Sequence, residues 1–241
     1  MSSTAPPRTV LRADRCVDVE AGEVRTPAVM VVEGNRIASV DAEPPPGPAT
    51  EIDLGDLTLL PGLMDMELNL LIGGPETPTG LPLPMHGVQD DPAYRTLRAT
   101  VNARTTLLAG FTTVRNLGLM VKTGGYPLDA ALGRAIDNGW VVGPRVVPAV
   151  HAITPTGGHL DPTMFQRLAP GVLPLSVEEG IANGVPEVRA GVRYQIKHGA
   201  RVIKISASGG VMSHSGAAGA QQYSDEELAA IVDEAHRAGI R

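Results

Sequence analysis

The segment LLPGLMDMELNLL, residues 59–71, carries two polar side chains, Glu67 and Asn69, in an otherwise apolar run. Side chains alternate between the two faces of a strand, so Glu67 and Asn69 are predicted to project from the same face. Two buried polar groups without partners would be costly. The spacing therefore indicates a place where a metal, a substrate, water or another side chain meets both groups.

Three further residues have chemistry that suits a site. Lys204 lies in the strand-like run VIKISASGG, His159 follows two glycines in TGGH, and Tyr223 precedes a helix start. Each has a structural alternative. Lys204 reads equally as a snorkelling or ion-paired strand lysine, His159 as a surface loop histidine, and Tyr223 as a packing residue at a helix entry.

The remaining histidines give weaker signals. His151 and His214 are predicted near the ends of strands, where a ligand role is possible but a satisfied loop histidine is the preferred interpretation. His86, His198 and His236 lie in polar loop or helix contexts, and we assign them no role. The small-residue segment SASGGVMSHSGAAGAQ after Lys204 is predicted to be a flexible lid or the rim of a metal site.

Composition narrows the functional class of the 241-residue chain. Its net charge is −6, and its basic residues are scattered, so nucleic acid is not an expected partner. Cys16 is the single cysteine, which excludes a disulfide or thiolate-metal framework within one chain and suits a reducing cytoplasm. No apolar run reaches the length of a membrane span, and the N-terminus lacks a secretory pattern. We therefore expect a soluble cytoplasmic protein without a membrane partner.

The candidate residues need a scaffold, and the chain predicts two domains. Residues 1–58 contain short strands broken by turn signals, which indicates a small β module. From residue 59 to residue 241, apolar strands alternate with helical segments, which is typical of βαβ units and a parallel sheet. Lys204 and the Glu67–Asn69 pair fall on strands of this second region.

Helix signals divide the second region into units. Asp91 and Pro92 predict a helix start, and glycines predict the helix ends. Ser224 and Glu227 form a capping box before the last helix. The predicted strands are LLPGLMDM, FTTVRNLG, PRVVPAVHAI and RVIKISAS.

About four β/α units after a β module predict an α/β fold that is an incomplete (β/α)8 TIM barrel. Half a barrel leaves two open sheet edges and an uncovered apolar interior. We therefore expect a second chain, a second copy or a missing C-terminal half to complete the barrel. An isolated chain is expected to self-associate or to be poorly soluble.

Five motifs carry a family resemblance: LLPGLMDM, LLAGFTTVRNLG, TGGHLD, GARVIKISASGGVMS and QQYSDEELAAIVDEAHRAG. In this order and spacing they resemble the amidohydrolase superfamily, specifically its prolidase-like and imidazolonepropionase-like members. The likeness covers nearly the whole chain. It implies a small β-sandwich and a metal-bearing (β/α)8 barrel that hydrolyses amide, peptide or cyclic amide C–N bonds with metal-activated water.

The resemblance also implies a ligand set. Lys204 matches the carboxylated lysine of the family's fourth strand. Glu67 and Asn69 occupy the positions of the family's first-strand His-x-His pair, and Asn116 stands where an aspartate is usual. These matches make Lys204, Glu67 and Asn69 the candidate metal residues, with zinc as the expected divalent metal, or no metal at all. His159 and Tyr223 match residues that contact substrate.

Two functions remain open, together with the possibility of a truncated gene. The first is a component of a metal-dependent amidohydrolase that acts on a small amide or peptide-like substrate. No catalytic residue is assigned within this chain, because the family's later histidines and aspartate have no counterpart in it. The second is a non-catalytic binding or scaffold protein that has lost its metal.

The altered first-strand pair suggests a specific contact. Without a metal, Lys204 would be a buried ammonium, and a carboxylate is the group that best compensates it. We therefore predict that Glu67 pairs with Lys204 and that Asn69 forms a hydrogen bond nearby. Removing one partner would cost roughly 3–5 kcal/mol if the pair were well buried.

Overall fold

The computed structural model describes residues 7–40, 43–44, 46–73, 90–118, 126–161, 175–211 and 216–240. The chain divides into two compact units, Met1–Gly62 and Leu63–Arg241.

The first unit consists of short strands in two sheets. The strands are β1 Arg8–Ala13, β2 Arg15–Asp18, β3 Glu23–Arg25, β4 Ala28–Glu33, β5 Arg36–Val40, β6 Thr50–Asp53 and β7 Thr58–Leu59. One sheet has the order β5-β4-β1-β6, and the other has the order β3-β2-β7. The region is thus β-rich as predicted, while a sandwich arrangement of the sheets stays a prediction.

Register in the first unit follows its apolar residues. β1 and β4 pair antiparallel with Val10 opposite Val31, and both side chains are buried. The pairing of β7 with β2 places Leu59 opposite Cys16. The apolar start of LLPGLMDM, which the sequence pattern assigns to the second region, therefore lies in the first unit.

The second unit alternates strands with helices, as predicted. Its strands are β8 Leu63–Leu68, β9 Phe111–Asn116 and β10 Arg145–Pro148, and its helices are α1 Pro92–Leu108, α2 Leu128–Asp137, α3 Gly184–Lys197 and α4 Asp225–Arg237. The three strands form a parallel sheet in the order β10-β9-β8. A 3-10 turn, Val177–Glu179, precedes α3.

Caps and apolar stripes explain the helices. Asp91 accepts a hydrogen bond from the Tyr94 amide at the start of α1, with Pro92 in the first helical position. The capping box of Ser224 and Glu227 is present at the start of α4, as predicted.

Two apolar clusters hold the unit together. The buried members of the first lie on α1, α2 and the sheet: Leu70, Leu71, Ala99, Ala103, Val114, Leu128, Leu132 and Val146. Those of the second lie around α3 and α4: Ile153, Ala182, Val188, Val192, Tyr223, Ala230, Ile231 and Ala235.

The predicted fourth strand, RVIKISAS, is only a partial strand. It bonds to the third strand through Arg201 N to Pro148 O at 2.8 Å, Ile153 N to Lys204 O at 2.8 Å, and Ser206 N to Ile153 O at 2.9 Å. Between the first two of these hydrogen bonds, the third strand runs through six residues, Pro148 to Ile153, whereas its neighbour runs through four, Arg201 to Lys204. The two extra residues interrupt a regular ladder.

A bulge after β10 accommodates the extra residues. Val150 has φ 65°, which is the left-handed region that a β-branched residue rarely adopts. The amides of Ala149 and Val150 donate to Asp129 instead of to a neighbouring strand. The sequence pattern PRVVPAVHAI predicts a continuous strand because it contains no glycine to mark this bulge.

The described residues establish a mixed α/β fold, while the incomplete barrel stays a prediction. Among them, no helix has both the length and the apolar character needed to cross a membrane.

Candidate functional site

Glu67 and Lys204 come together at one end of the parallel sheet. Glu67 Oε1 lies 4.0 Å from Lys204 Nζ. Glu67 is near the end of β8, and Lys204 is held by the hydrogen bond from Ile153 N to its carbonyl oxygen. The predicted proximity of these two side chains is therefore confirmed.

The environment of this pair differs from the prediction. The Glu67 side chain is 78% exposed and that of Lys204 is 31% exposed. Strand β8 lies at the edge of the sheet among the described residues, so water reaches the carboxylate. The assumption of a buried ion pair is wrong, and the cost of 3–5 kcal/mol based on it does not apply.

Asn69 lies just beyond β8 and does not complete the pair. Its Oδ1 atom is buried and has no hydrogen-bond partner in the described parts of the chain. The Asn69 side chain was expected to form a hydrogen bond near the Glu67–Lys204 pair, and its Oδ1 accepts none from the described residues. Strand β8 ends at Leu68, and the chain turns so that the amide of Leu70 reaches the Asn116 side chain.

Asn116 joins the ends of the strands. It is 1% exposed, its Oδ1 accepts from the Leu70 amide at 2.9 Å, and its Nδ2 donates to Asp129 Oδ2 at 3.1 Å. The position that matches an aspartate in the resembled family is therefore occupied here by an amide that uses both its donor and its acceptor. Asn116 fixes the chain immediately after Asn69.

Asp129 was not singled out from the sequence, yet it is fully buried. Its Oδ2 accepts hydrogen bonds from Asn116 and from the amides of Ala149 and Val150, each at 3.1 Å. Burial raises the pKa of Asp129 to about 6, and the hydrogen bonds from Asn116 and the backbone amides oppose that shift. The sequence feature that could have indicated a buried Asp129 is its place as the single acidic residue in the apolar segment LDAALG.

His159 is fixed beside the segment that carries Lys204. Its amide donates to Gln222 Oε1 at 3.0 Å, and the same oxygen accepts from Ser206 Oγ at 2.9 Å. The imidazole lies directly over Gly210, where an added Cβ would be 2.1 Å from the ring. A side chain at position 210 would therefore require the His159 ring to move. The substrate role of His159 stays a prediction.

Tyr223 occupies a packing position. It is 2% exposed, lies in the apolar cluster around α3 and α4, and donates its hydroxyl to Ala182 O at 3.1 Å. Burial raises the pKa of its hydroxyl above the ordinary value. These contacts match the helix-entry alternative, and a contact of Tyr223 with substrate stays a prediction.

The other described histidines form no metal-binding cluster with these residues. His151 is completely buried, its amide donates to Gln195 Oε1, and burial lowers the pKa of its ring to about 4, with a smaller effect of the Arg95 charge. The His198 ring lies 4.4 Å from that of Tyr194, and His236 is in the last turn of α4. His86 and His214 lie outside the described residues.

The predicted lid is partly described. Ser208 pairs antiparallel with Gln221, and Gly209 donates to Ala220 O. The described parts of this segment therefore fold back on each other beside His159. Residues 212–215 lie outside the described part of the chain.

The described residues do not fit a metal centre by themselves. They contain no group of three His, Cys, Asp or Glu side chains placed to hold an ion. Glu67 and Asn69 offer oxygen atoms, but Lys204 as an ammonium offers no lone pair and repels a cation. A structural zinc usually takes four ligands, chiefly nitrogen and sulfur.

Comparisons with known proteins agree with the motifs. The sequence profile of the amidohydrolase family matches residues 58–241. The ochratoxinase of Aspergillus niger is 38% identical over 163 residues, which are 63% of this chain and 32% of that protein.

Solved structures share the fold. A Xaa-Pro dipeptidase with methionine bound in its active site superposes with a TM-score of 0.81 at 31% identity, over 97% of this chain and 55% of that one. A prolidase in complex with N-methylphosphonate-L-proline gives a TM-score of 0.81 at 32% identity, over 97% of this chain and 54% of that one. The chain thus spans about half the length of these solved relatives.

Proposed function

Since the chain belongs to the amidohydrolase family, we propose that it forms part of a hydrolase that cleaves amide bonds in small or peptide-like molecules. In this proposal the second unit is the first half of a (β/α)8 barrel, and the C-terminal ends of its strands line one side of the substrate site. A cytoplasmic location belongs to the same proposal, since a single buried cysteine suits a reducing compartment.

The observation that carries the proposal is the approach of Lys204 to Glu67 across the sheet. These residues occupy the positions of two family ligands on different strands, and the fold still brings them within 4.0 Å. His159 is tied through Gln222 and Ser206 to the segment of Lys204. This approach supports a shared site at these positions, with a glutamate where the family has a histidine.

The proposed substrate is an amide or short peptide with a free carboxylate. The solved relatives carry methionine and a phosphonate derivative of proline, both built on amino acids. In this chain, the Lys204 ammonium would bind a carboxylate or an amide carbonyl oxygen by a charge-assisted hydrogen bond. His159 would supply a second polar contact from the neighbouring loop.

No step of the reaction is assigned to a metal. Amidohydrolases generally use divalent metals, but a cation at Glu67 and Asn69 would need ligands that the described residues do not supply. We propose that residues of a completed barrel supply them, together with the catalytic acid–base group. The residues of this chain alone are then expected to bind substrate without hydrolysing it.

The edge of β8 supports a partner for the barrel. Leu63, Met64 and Met66 are 47%, 67% and 40% exposed, and β8 has a neighbour on one side only within the described sheet. An edge strand with exposed apolar side chains is a template for pairing. We propose that a second chain, a second copy or a further segment of a longer protein pairs there.

The test is an assay of Xaa-Pro dipeptides and N-acyl amino acids with the chain alone and with a polypeptide that carries the remaining strands. Hydrolysis is expected only in the mixture, and Lys204→Met or His159→Ala should lower it at least tenfold. His236→Ala is the matched control, because that histidine lies in the last turn of α4. A mixture that binds but never hydrolyses any of these compounds would contradict the enzyme proposal.

A second candidate is a non-catalytic binding protein. The specific observation that favours it is the pair Glu67 and Asn69 at the positions of two metal-binding histidines. Isothermal titration with the same dipeptides separates the two functions. A binding protein would take them up with unchanged affinity after zinc is added and would release them intact.

A further inference from the structure

Arg95 is a buried arginine with an unpaired guanidinium nitrogen. It is 2% exposed, and its buried Nη1 atom has no hydrogen-bond partner in the described ranges. Buried arginines are ordinarily paired, because taking a charge out of water is costly. Arg95 plays no part in the contact of Lys204 with Glu67, and sequence patterns do not predict its burial.

The carboxylates nearest in sequence are already engaged. Asp90 binds Arg98 at 2.7 Å, and Asp91 caps the start of α1 by accepting from the Tyr94 amide at 3.0 Å. The first turn of α1 contains no acidic residue. Asp90 attracts the Arg95 charge without a hydrogen bond to it, and no described carboxylate binds Arg95 Nη1.

The surroundings of Arg95 are positive for one more reason. Arg95 is the fourth residue of α1, and helical side chains lean toward the N-terminus, where the helix dipole is positive. Burial lowers the pKa of the His151 ring, and the Arg95 charge lowers it further.

Arg95 does not avoid the cost of burying a charge by losing its proton. Burial, followed by the charge of Arg98, lowers the pKa of Arg95 to about 10, so the group stays charged at neutral pH. An anion is the remaining means of compensation. A carboxylate fits a guanidinium best, since the two planar groups form paired hydrogen bonds.

We propose that Arg95, at the start of α1, binds a small carboxylate anion. The site requires the unpaired Nη1 atom and the neighbouring helix N-terminus. It is separate from the contact of Lys204 with Glu67, so it holds whether or not the chain takes part in amide hydrolysis.

The test uses sodium acetate as the probe. The thermal midpoint of the full chain is followed against acetate concentration, with sodium chloride added to keep the ionic strength constant. The wild type should show a saturable rise of the midpoint, and Arg95→Met should show none. Arg104→Met is the matched control: it removes an exposed arginine of the same helix and leaves the Asp90–Arg98 pair in place, so it should keep the acetate response.

A second measurement covers the case in which Arg95→Met fails to fold. In that case Arg95→Lys is used, because lysine keeps the positive charge but lacks the paired N–H donors of a guanidinium. The acetate concentration that gives half of the stabilisation should then rise at least fivefold. Stabilisation of the wild type that is linear in acetate, or equal to that by sodium chloride alone, would overturn the proposal. An acetate response that persists unchanged in Arg95→Met would overturn it as well.

Discussion

At the scale of single residues, the site is defined by how each polar group is compensated. Glu67 and Lys204 face each other in contact with water, whereas Asn116 and Asp129 are buried and joined by hydrogen bonds. The sequence predicted the first pair because both positions match family ligands. It did not predict the second, because neither spacing nor residue type showed that Asp129 would receive the amides of a bulge.

Substitution of Glu67 by Gln is expected to have little effect on stability. Its carboxylate is 78% exposed, so the lost attraction to Lys204 is worth less than about 1 kcal/mol. Urea unfolding measures this difference. Glu234→Gln is a useful contrast, since Glu234 accepts hydrogen bonds from both Arg189 and Arg193 and should cost more. A larger loss for Glu67→Gln than for Glu234→Gln would contradict this assignment.

Asp129 is expected to lower stability as pH rises. Its pKa is raised from 3.8 to about 6 in the folded protein, so between these values the folded state holds a proton that the unfolded state has released. The free energy of unfolding therefore falls by up to about 3 kcal/mol over this window. Asp129→Asn should gain stability relative to the wild type from pH 4 to pH 6 in urea titrations, and a constant difference would refute this.

His151 is expected to act in the opposite direction. Its pKa is lowered from 6.5 to about 4, so in this window the unfolded state binds a proton that the folded state does not. Its contribution to stability rises with pH by up to about 3 kcal/mol. His151→Gln should therefore become less stable relative to the wild type between pH 4 and pH 6.5. His236→Gln, on the surface of α4, serves as the control and should show little such trend.

At the scale of elements, the sequence predicted most helices and strands but not the irregular backbone between them. Apolar periodicity and caps predicted α1 and α4, because these two signals depend only on residues that are close in sequence. The fourth strand was predicted as regular and is partial, because Val150 adopts a left-handed conformation that its residue type does not suggest. That bulge depends on the distant carboxylate of Asp129.

Gly118 is expected to be required where the chain leaves β9. It has φ +85°, and an added Cβ would lie 2.7 Å from Ala152 N, which is backbone and cannot move aside. Gly118→Ala should lower the free energy of unfolding by more than about 2 kcal/mol. Gly139→Ala is the matched control, with a similar φ of +73° and nothing within 4 Å of the added Cβ. Equal losses in the two variants would show that the close approach to Ala152 has no consequence.

At the scale of the whole molecule, the division into a β-rich unit and an α/β unit follows from the change in sequence period near residue 60. The position of the boundary between the two units does not follow from this change in period. The apolar pair at the end of the first unit, Leu59 and Leu60, reads as the start of the next strand, but Leu59 pairs with Cys16. Only the pairing partner, which is distant in sequence, decides to which sheet so short a strand belongs.

The open edge of β8 predicts self-association of the isolated chain. Its exposed apolar side chains and its position at the edge of the described sheet favour pairing with another strand, and a charge on an edge strand opposes such pairing. Met64→Lys should therefore shift the sedimentation profile toward monomer at concentrations where the wild type associates. Leu108→Lys is the matched control, because Leu108 on α1 has the same 67% exposure but lies on a helix. A wild-type chain that stays monomeric at all concentrations would rule out pairing at this edge, and equal dissociation by both variants would assign the association to general surface apolarity instead.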